Sequence, residues 1–151
     1  MQGRRLTFVT RERARVDRMA CPWLIRRFID PAARILFVPP EDVLRVAEAE
    51  GGLPFDVPGV DLGHHGDRCS FDAFLDRYSL SEPALRRLAL IVRAADTDRL
   101  DLVPEGAGLF AIATGFQRMI PERFADDDAM LSAQMAMYDA LYEFCRSQTG
   151  A

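Results

Sequence analysis

Residues 15–30, R-V-D-R-M-A-C-P-W-L-I-R-R-F-I-D, gather four arginines, two aspartates, a cysteine and the only tryptophan of the chain. Pro22 suits the first position of a helix, where its missing N–H costs nothing. Pro31 closes that helix just after Asp30. At about 100° per residue, Leu24, Ile25, Phe28 and Ile29 share one face, and Trp23, Arg26, Arg27 and Asp30 share the other. The first face is ordinary core. The second pairs an aromatic plane with two guanidinium groups and a carboxylate. The helix start, Arg18 to Cys21, points unpaired N–H groups the same way.

Working outward, Leu6 to Thr10 reads as a first strand and Arg34 to Val38, bounded by prolines, as a buried one. Pro40 opens a helix to about Glu50 with Val43, Leu44 and Ala47 inward, stopped by Gly51-Gly52. Phe55 to Val57 reads as a third, short strand, and turn formers then run to Ser70. Phe71 to Tyr78 has helical core spacing, and Ser81 is a suitable N-cap for a helix to about Ala95. Ala107 to Gln117 carries no charge, which predicts a buried central helix ended by Pro121. The last helix runs from about Ala125 to Arg146 behind the acidic Asp126, Asp127 and Asp128. Its stripe of Leu131, Met135, Tyr138, Tyr142 and Cys145 is suited to core or to the seam of a homodimer through this C-terminal helix. These elements predict a single α+β domain over residues 1–151, mainly helical, with a small N-terminal sheet.

At 151 residues the chain is long enough to bury a real core. All 19 basic residues are arginine, which excludes Schiff-base and lysine general-base chemistry. Residues 1–34 hold nine Arg against Glu12, Asp17 and Asp30 (9 − 3 = +6); the remainder holds ten Arg against twenty acids (−10), recovering the net −4. This basic N-terminal segment is expected to dock on its own acidic body, and no nucleic-acid recognition motif is present. Three scattered cysteines without a C-x-x-C pair point to reduced thiols. With no signal-like N-terminus and no run of about 20 apolar residues, a cytoplasmic protein without membrane contact is expected.

Three groups of residues could carry chemistry. A helix start among arginines is an anion site, with Arg15, Arg18, Arg26 and Arg27 around a small oxyanion, Trp23 as a wall, and Asp17 and Asp30 orienting the guanidiniums. The ordinary alternative is a salt-bridged surface helix. His64 and His65 in G-H-H-G, with Cys69 and the pair Asp96 and Asp98 of A-A-D-T-D-R, form a candidate metal set around one divalent transition metal, too loosely spaced to name it. Asp96 ends an apolar stripe, so its carboxylate needs an arginine, a helix N-terminus or a metal. Cys21 stands at a helix start among arginines, conditions that depress a thiol pKa and suit a reactive catalytic cysteine. No Walker, dinucleotide or G-x-S-x-G pattern is present, which argues against nucleotide-dependent and serine-hydrolase readings.

Residues 15–30, F-V-P-P (37–40), P-F-D-V-P-G-V-D-L-G-H-H-G-D-R-C-S-F-D (54–72) and I-V-R-A-A-D-T-D (91–98) together resemble the chromate-resistance protein ChrB family, specifically its C-terminal domain, from about Phe8 to Cys145. The resemblance implies a role in bacterial chromate tolerance. Longer members are chromate-responsive transcriptional regulators with an additional N-terminal region that this chain is expected to lack, so DNA binding is not expected of it. The leading reading is an oxyanion-binding domain, since chromate is a tetrahedral dianion suited to arginines. The alternatives are a small metal-dependent redox or hydrolytic enzyme built on His64 and nearby carboxylates, and a non-catalytic dimeric scaffold.

Overall fold

The computed structural model describes residues 5–120 and 122–150. Strands β1 (Thr7–Arg11), β2 (Arg34–Val38) and β3 (Leu53–Pro54) form a parallel sheet in the order β2-β1-β3. Thr7 pairs with Arg34 on one side of β1, and Phe8 with Leu53 on the other. Parallel neighbours require crossovers. The first is α1 (Asp17–Leu24), continued by a π-helical turn over Ile25–Ile29. The second is a 3₁₀ turn over Pro40–Asp42 followed by α2 (Val43–Glu50), which Gly51 ends at φ 65°. The two-residue period of β1 splits the apolar residues into two layers: Phe8 faces the main core, while Val9 packs with Val43, Ala47 and Val57 beside α2. Both faces of the sheet are therefore covered.

Helices α3 (Ser70–Arg77), α4 (Pro83–Asp96), α5 (Glu105–Gln117) and α6 (Asp127–Gln148) complete a mainly helical α+β fold. Leu85, Leu88, Ile91, Val92 and Ala95 of α4 are buried, and α1, α3, α5 and α6 all pack against that helix. Trp23 anchors α1 to α6: it is fully buried, donates its indole N–H to Asp139 (2.7 Å) and meets Phe28, Tyr138 and Tyr142 at ring-centroid distances of 5.7, 6.3 and 5.8 Å.

Several elements differ from the sequence expectation. The central helix starts at Asp17, a turn before Pro22, because the Met19 and Ala20 N–H groups already donate to the Val16 carbonyl (3.1 and 2.8 Å). Pro22 is thus inside the helix and leaves the carbonyl four residues earlier without its usual donor. The π turn, closed by Asp30 N–H on the Ile25 carbonyl (2.7 Å), adds a residue to the repeat. The third strand is Leu53–Pro54, and Phe55 instead forms an isolated bridge with Leu62. Leu44 is 59% exposed, since Val43 and Ala47 take the inward face of α2. The helix α5, uncharged after Glu105, is not central: it leans on α4 from one side, burying Gly106, Leu109 and Ala113 while Ile112 is 48% exposed. Pro121, expected to end that helix, lies outside the described residues. On α6, Leu131, Tyr138 and Cys145 are buried, so the stripe read as core or dimer seam is core.

Asp127 ties the start of α6 to the β1–α1 connection, its buried carboxylate accepting the Arg13 and Ala14 N–H groups at 2.8 and 2.7 Å. Asp127→Ala strands both donors and should cost about 2–3 kcal/mol of stability. Urea unfolding should show a lower midpoint with an unchanged slope; an unchanged midpoint would show that this tie contributes nothing.

Candidate metal centre

In open parallel sheets ligands bind beyond the carboxyl ends of the strands, and here β1 and β3 deliver Thr10, Arg11, Phe55 and Asp56 to that edge. The Thr10 hydroxyl donates to the Phe55 carbonyl (2.7 Å), clamping the two strand ends together. The backbone then turns at Asp56, whose φ of 53° places a non-glycine residue in the left-handed region. Such strain gathers at functional sites. The following loop folds back tightly. A side chain at Gly63 would sit 2.7 Å from the Val57 carbonyl oxygen, so only glycine fits there. That close approach delivers His64 to the sheet edge.

Nε2 of His64 lies 3.0 Å from Asp56 Oδ1, 3.1 Å from Asp96 Oδ2 and 3.5 Å from Asp17 Oδ2. The carboxylates come from three separate places: Asp17 opens α1, Asp96 closes α4, and Asp56 follows β3. Each divides its two oxygens between scaffold and centre. Asp96 Oδ1 accepts the Asp17 N–H (3.2 Å), leaving Oδ2 to His64. Asp56 Oδ2 is paired with Arg18 (3.3 Å) and Arg11 (3.5 Å), leaving Oδ1 to His64 and the Ser70 hydroxyl (3.4 Å). Asp17, only 1% exposed, caps α3: Oδ2 accepts the Ser70 N–H (2.7 Å), and Oδ1 accepts the Phe71 N–H (3.0 Å) and the Cys21 thiol (3.3 Å).

The carboxylates of Asp17, Asp56 and Asp96 crowded around Nε2 favour the charged imidazolium, pushing the His64 pKa up to about 12. Burial pushes the Asp17 carboxyl up, opposed by its bond to His64. The donor set also fits a metal. Asp17, His64 and Asp96 each offer a ligand atom, and these atoms lie within 4.8 Å of one another. With metal–ligand bonds of about 2.0–2.2 Å, neighbouring ligand atoms of an octahedral or tetrahedral ion are about 3.0–3.5 Å apart, which is the spacing around Nε2. Hydrogen-bonded support behind every carboxylate is the second-layer arrangement of metal centres. Beside it a hollow of about 460 Å³, lined by Arg11, Asp56, Val57, Pro58, Gly59 and His64, opens to solvent.

Of the expected metal set, His64 and Asp96 are brought together. Asp98 is exposed past the end of α4, at φ 60°, and Cys69 is buried at the start of α3, where its thiol donates to Asp72 (3.5 Å). His65 turns away and donates Nε2–H to the Asp61 carbonyl (2.8 Å). Cys21 does not have a depressed pKa: burial and the Asp17 carboxylate push its thiol well above the usual value.

The arginine face does not converge. Arg15 lies over the Phe110 ring (5.2 Å), Arg18 is spent on Asp56 and the Arg11 and Glu12 carbonyls, Arg26 donates to the Ala33 carbonyl, and Arg27 pairs with Asp139 (2.9 Å). Asp30 accepts the Leu6 and Ala32 N–H groups, and Trp23 is core rather than a wall. Asp17 belongs to the histidine centre. Asp56 was not singled out from sequence, although a carboxylate between Phe55 and Val57 in a proline-bounded apolar run was a usable signal.

The family profile described as ChrB, C-terminal domain, matches residues 8–145. The chain belongs to this family. It is also 39% identical over 142 residues to Protein ChrB of Cupriavidus metallidurans, a match covering 93% of this chain and 40% of that protein. The chain therefore spans well under half the length of that relative. No solved structure matches it. Among the described residues no helix is long and apolar enough to cross a membrane.

A folded-state His pKa raised from 6.5 to about 12 means His64 stabilises the metal-free fold fully below about pH 6.5, and this contribution is lost as pH rises towards 12. In chelator, the melting temperature of His64→Gln should fall furthest below wild type at the acidic end of a pH 6 to 10 series, and the gap should narrow with rising pH. A gap that widens with pH would contradict the imidazolium assignment.

Proposed function

We propose that this chain is the working domain of a chromate-response protein of the ChrB type, and that its centre holds one divalent cation through Asp17, His64 and Asp96, with Asp56 beside them. The observation that carries this reading is the convergence of three anchored carboxylates, from three separate parts of the fold, on one imidazole nitrogen. A single imidazole among carboxylates suits manganese, iron(II) or zinc better than a thiophilic ion. The cation would supply Lewis acidity towards an anion entering the hollow. Arg11, on the wall of that hollow with its side chain 35% exposed, favours an oxyanion such as chromate there. The oxyanion site thus moves from the arginine helix face to the mouth of the metal centre.

A second reading has a specific observation behind it: the imidazolium already sits within hydrogen-bond distance of its carboxylates, which is also the form of a structural ion cluster.

Elemental analysis separates the two. Protein purified without chelator or polyhistidine tag should carry about one equivalent of transition metal, falling at least tenfold in His64→Ala and Asp96→Ala and unchanged in Asp98→Ala and Arg26→Ala. Chromate titrated into metal-loaded protein should then bind, and bind more weakly to Arg11→Gln. Wild-type protein that stays metal-free with manganese, iron(II) or zinc supplied would leave the ion cluster as the correct reading.

A further inference from the structure

Strand β2 is an edge of the sheet, with β1 as its only strand neighbour among the described residues. The Arg34 N–H donates to the Leu6 carbonyl and the Glu12 N–H to the Val38 carbonyl, both at 2.8 Å. In a parallel ladder such bonds recur at every second residue. The backbone groups of Arg34, Leu36 and Val38 therefore turn inward to β1, and the N–H and C=O groups of Ile35 and Phe37 turn outward. Along that edge lies a hollow of about 480 Å³, lined by Arg5, Arg26 and residues 31–36, with no carboxylate in its lining. Three guanidiniums thus share one hollow. Asp30, next to it in the chain, spends its oxygens on the Leu6 and Ala32 N–H groups. Arg26 gives one N–H to the Ala33 carbonyl (3.3 Å), and Arg34 pairs with Glu50 (3.1 Å) where both side chains are well exposed.

We propose that the β2 edge is the docking site for an acidic peptide segment of a partner protein, which adds to the sheet as a fourth strand. An edge that offers N–H and C=O groups in alternation is matched by another peptide backbone, which carries both. A phosphate group, free or in nucleic acid, only accepts hydrogen bonds and leaves the outward carbonyls of Ile35 and Phe37 unmatched. A second copy of this edge is excluded by charge, since it sets arginines against arginines. The arginines also stand on both faces of the edge. Arg34 shares its face with Leu36 and Val38, beside α2, and Arg26 comes from the turn after α1, which covers the opposite face with Ile35. Successive side chains of an entering strand point to opposite faces. Two adjacent acidic residues therefore meet Arg26 and Arg34, one on each side. Exchanging the exposed Arg34–Glu50 pair for such a contact costs little. The partner chemistry is an adjacent pair of Asp or Glu within a β-prone segment. This inference is independent of the metal reading.

The probe is a fluorescein-labelled peptide of about ten residues, valine and threonine around a central pair of glutamates, titrated into the full chain and followed by anisotropy. It should saturate below about 1 mM. At saturation, amide hydrogen exchange at Ile35 and Phe37 should slow at least about tenfold, while Leu36 and Val38, already bonded to β1, change little. Replacing the two glutamates of the peptide by glutamine, or Arg26→Gln in the chain, should weaken binding about tenfold. A peptide N-methylated at alternate residues, which has lost its donors to the outward carbonyls, should not bind. Failure of the acidic peptide to bind, unchanged exchange at Ile35 and Phe37, or equal binding by the N-methylated peptide overturns the proposal. Complete displacement of the peptide by an equal concentration of inorganic phosphate also overturns it and leaves the hollow as an anion site.

Discussion

The carboxylate of Asp17 is the interaction on which the rest of the site depends. A buried charge without partners is strongly destabilising, and Asp17 is almost wholly buried. It is compensated by the Ser70 and Phe71 N–H groups at the positive end of α3, by the Cys21 thiol and by His64. Its own N–H in turn holds Asp96. One residue thus joins the start of α1, the start of α3, the end of α4 and the histidine loop. Neither the loop nor α3 can take its position without also building the centre, so scaffold and site are the same set of bonds.

The fold was legible wherever a pattern was local. The strand Arg34–Val38, the glycine end of α2 and the helices after Ser70 follow from periodicity and caps. What escaped were features decided by distant neighbours. Only the Val16 carbonyl and the packing of Trp23 against α6 explain why α1 runs through Pro22. The uncharged stretch 107–117 of α5 reads as central because lack of charge normally means burial, whereas the fold covers only one side of it. Asp17, His64 and Asp96 each stood out by local chemistry, but 79 residues separate Asp17 from Asp96, and no spacing rule unites them. Local chemistry therefore groups Asp17 with the arginines and the other two with a metal. Asp56 went unnoticed because its role depends on a strand end and a left-handed turn that only the assembled sheet creates.

The arginines show the same division. A basic N-terminal segment on an acidic body is expected to dock on itself, and it does: Arg18 and Arg11 reach Asp56, Arg27 reaches Asp139, and Arg34 reaches Glu50. Guanidinium suits this work because its planar fork bonds carboxylates and carbonyls together and stacks on rings, as Arg15 does on Phe110. An anion at the helix start would have to displace these partners. It would also meet Asp96, whose carboxylate already occupies the first N–H of α1.

Charge is what makes the centre more than a tie between elements. Asp96 closes α4, where a carboxylate opposes the helix dipole, so its placement is tolerated only beside positive charge. With Asp17, Asp56 and Asp96 ionised the formal charge is −3, and Arg11 and Arg18 reduce it to −1. Protonation of His64 brings the sum to zero. A divalent cation bound by neutral His64 brings it to +1. The two occupants therefore have different consequences at the hollow beside Arg11: the proton leaves a balanced cluster with nothing further to attract, while the metal leaves one positive charge at the surface of the site. Such a surplus in a partly enclosed hollow is what would recruit a small anion, so under the proposed function the same few atoms would serve both the cation and the oxyanion.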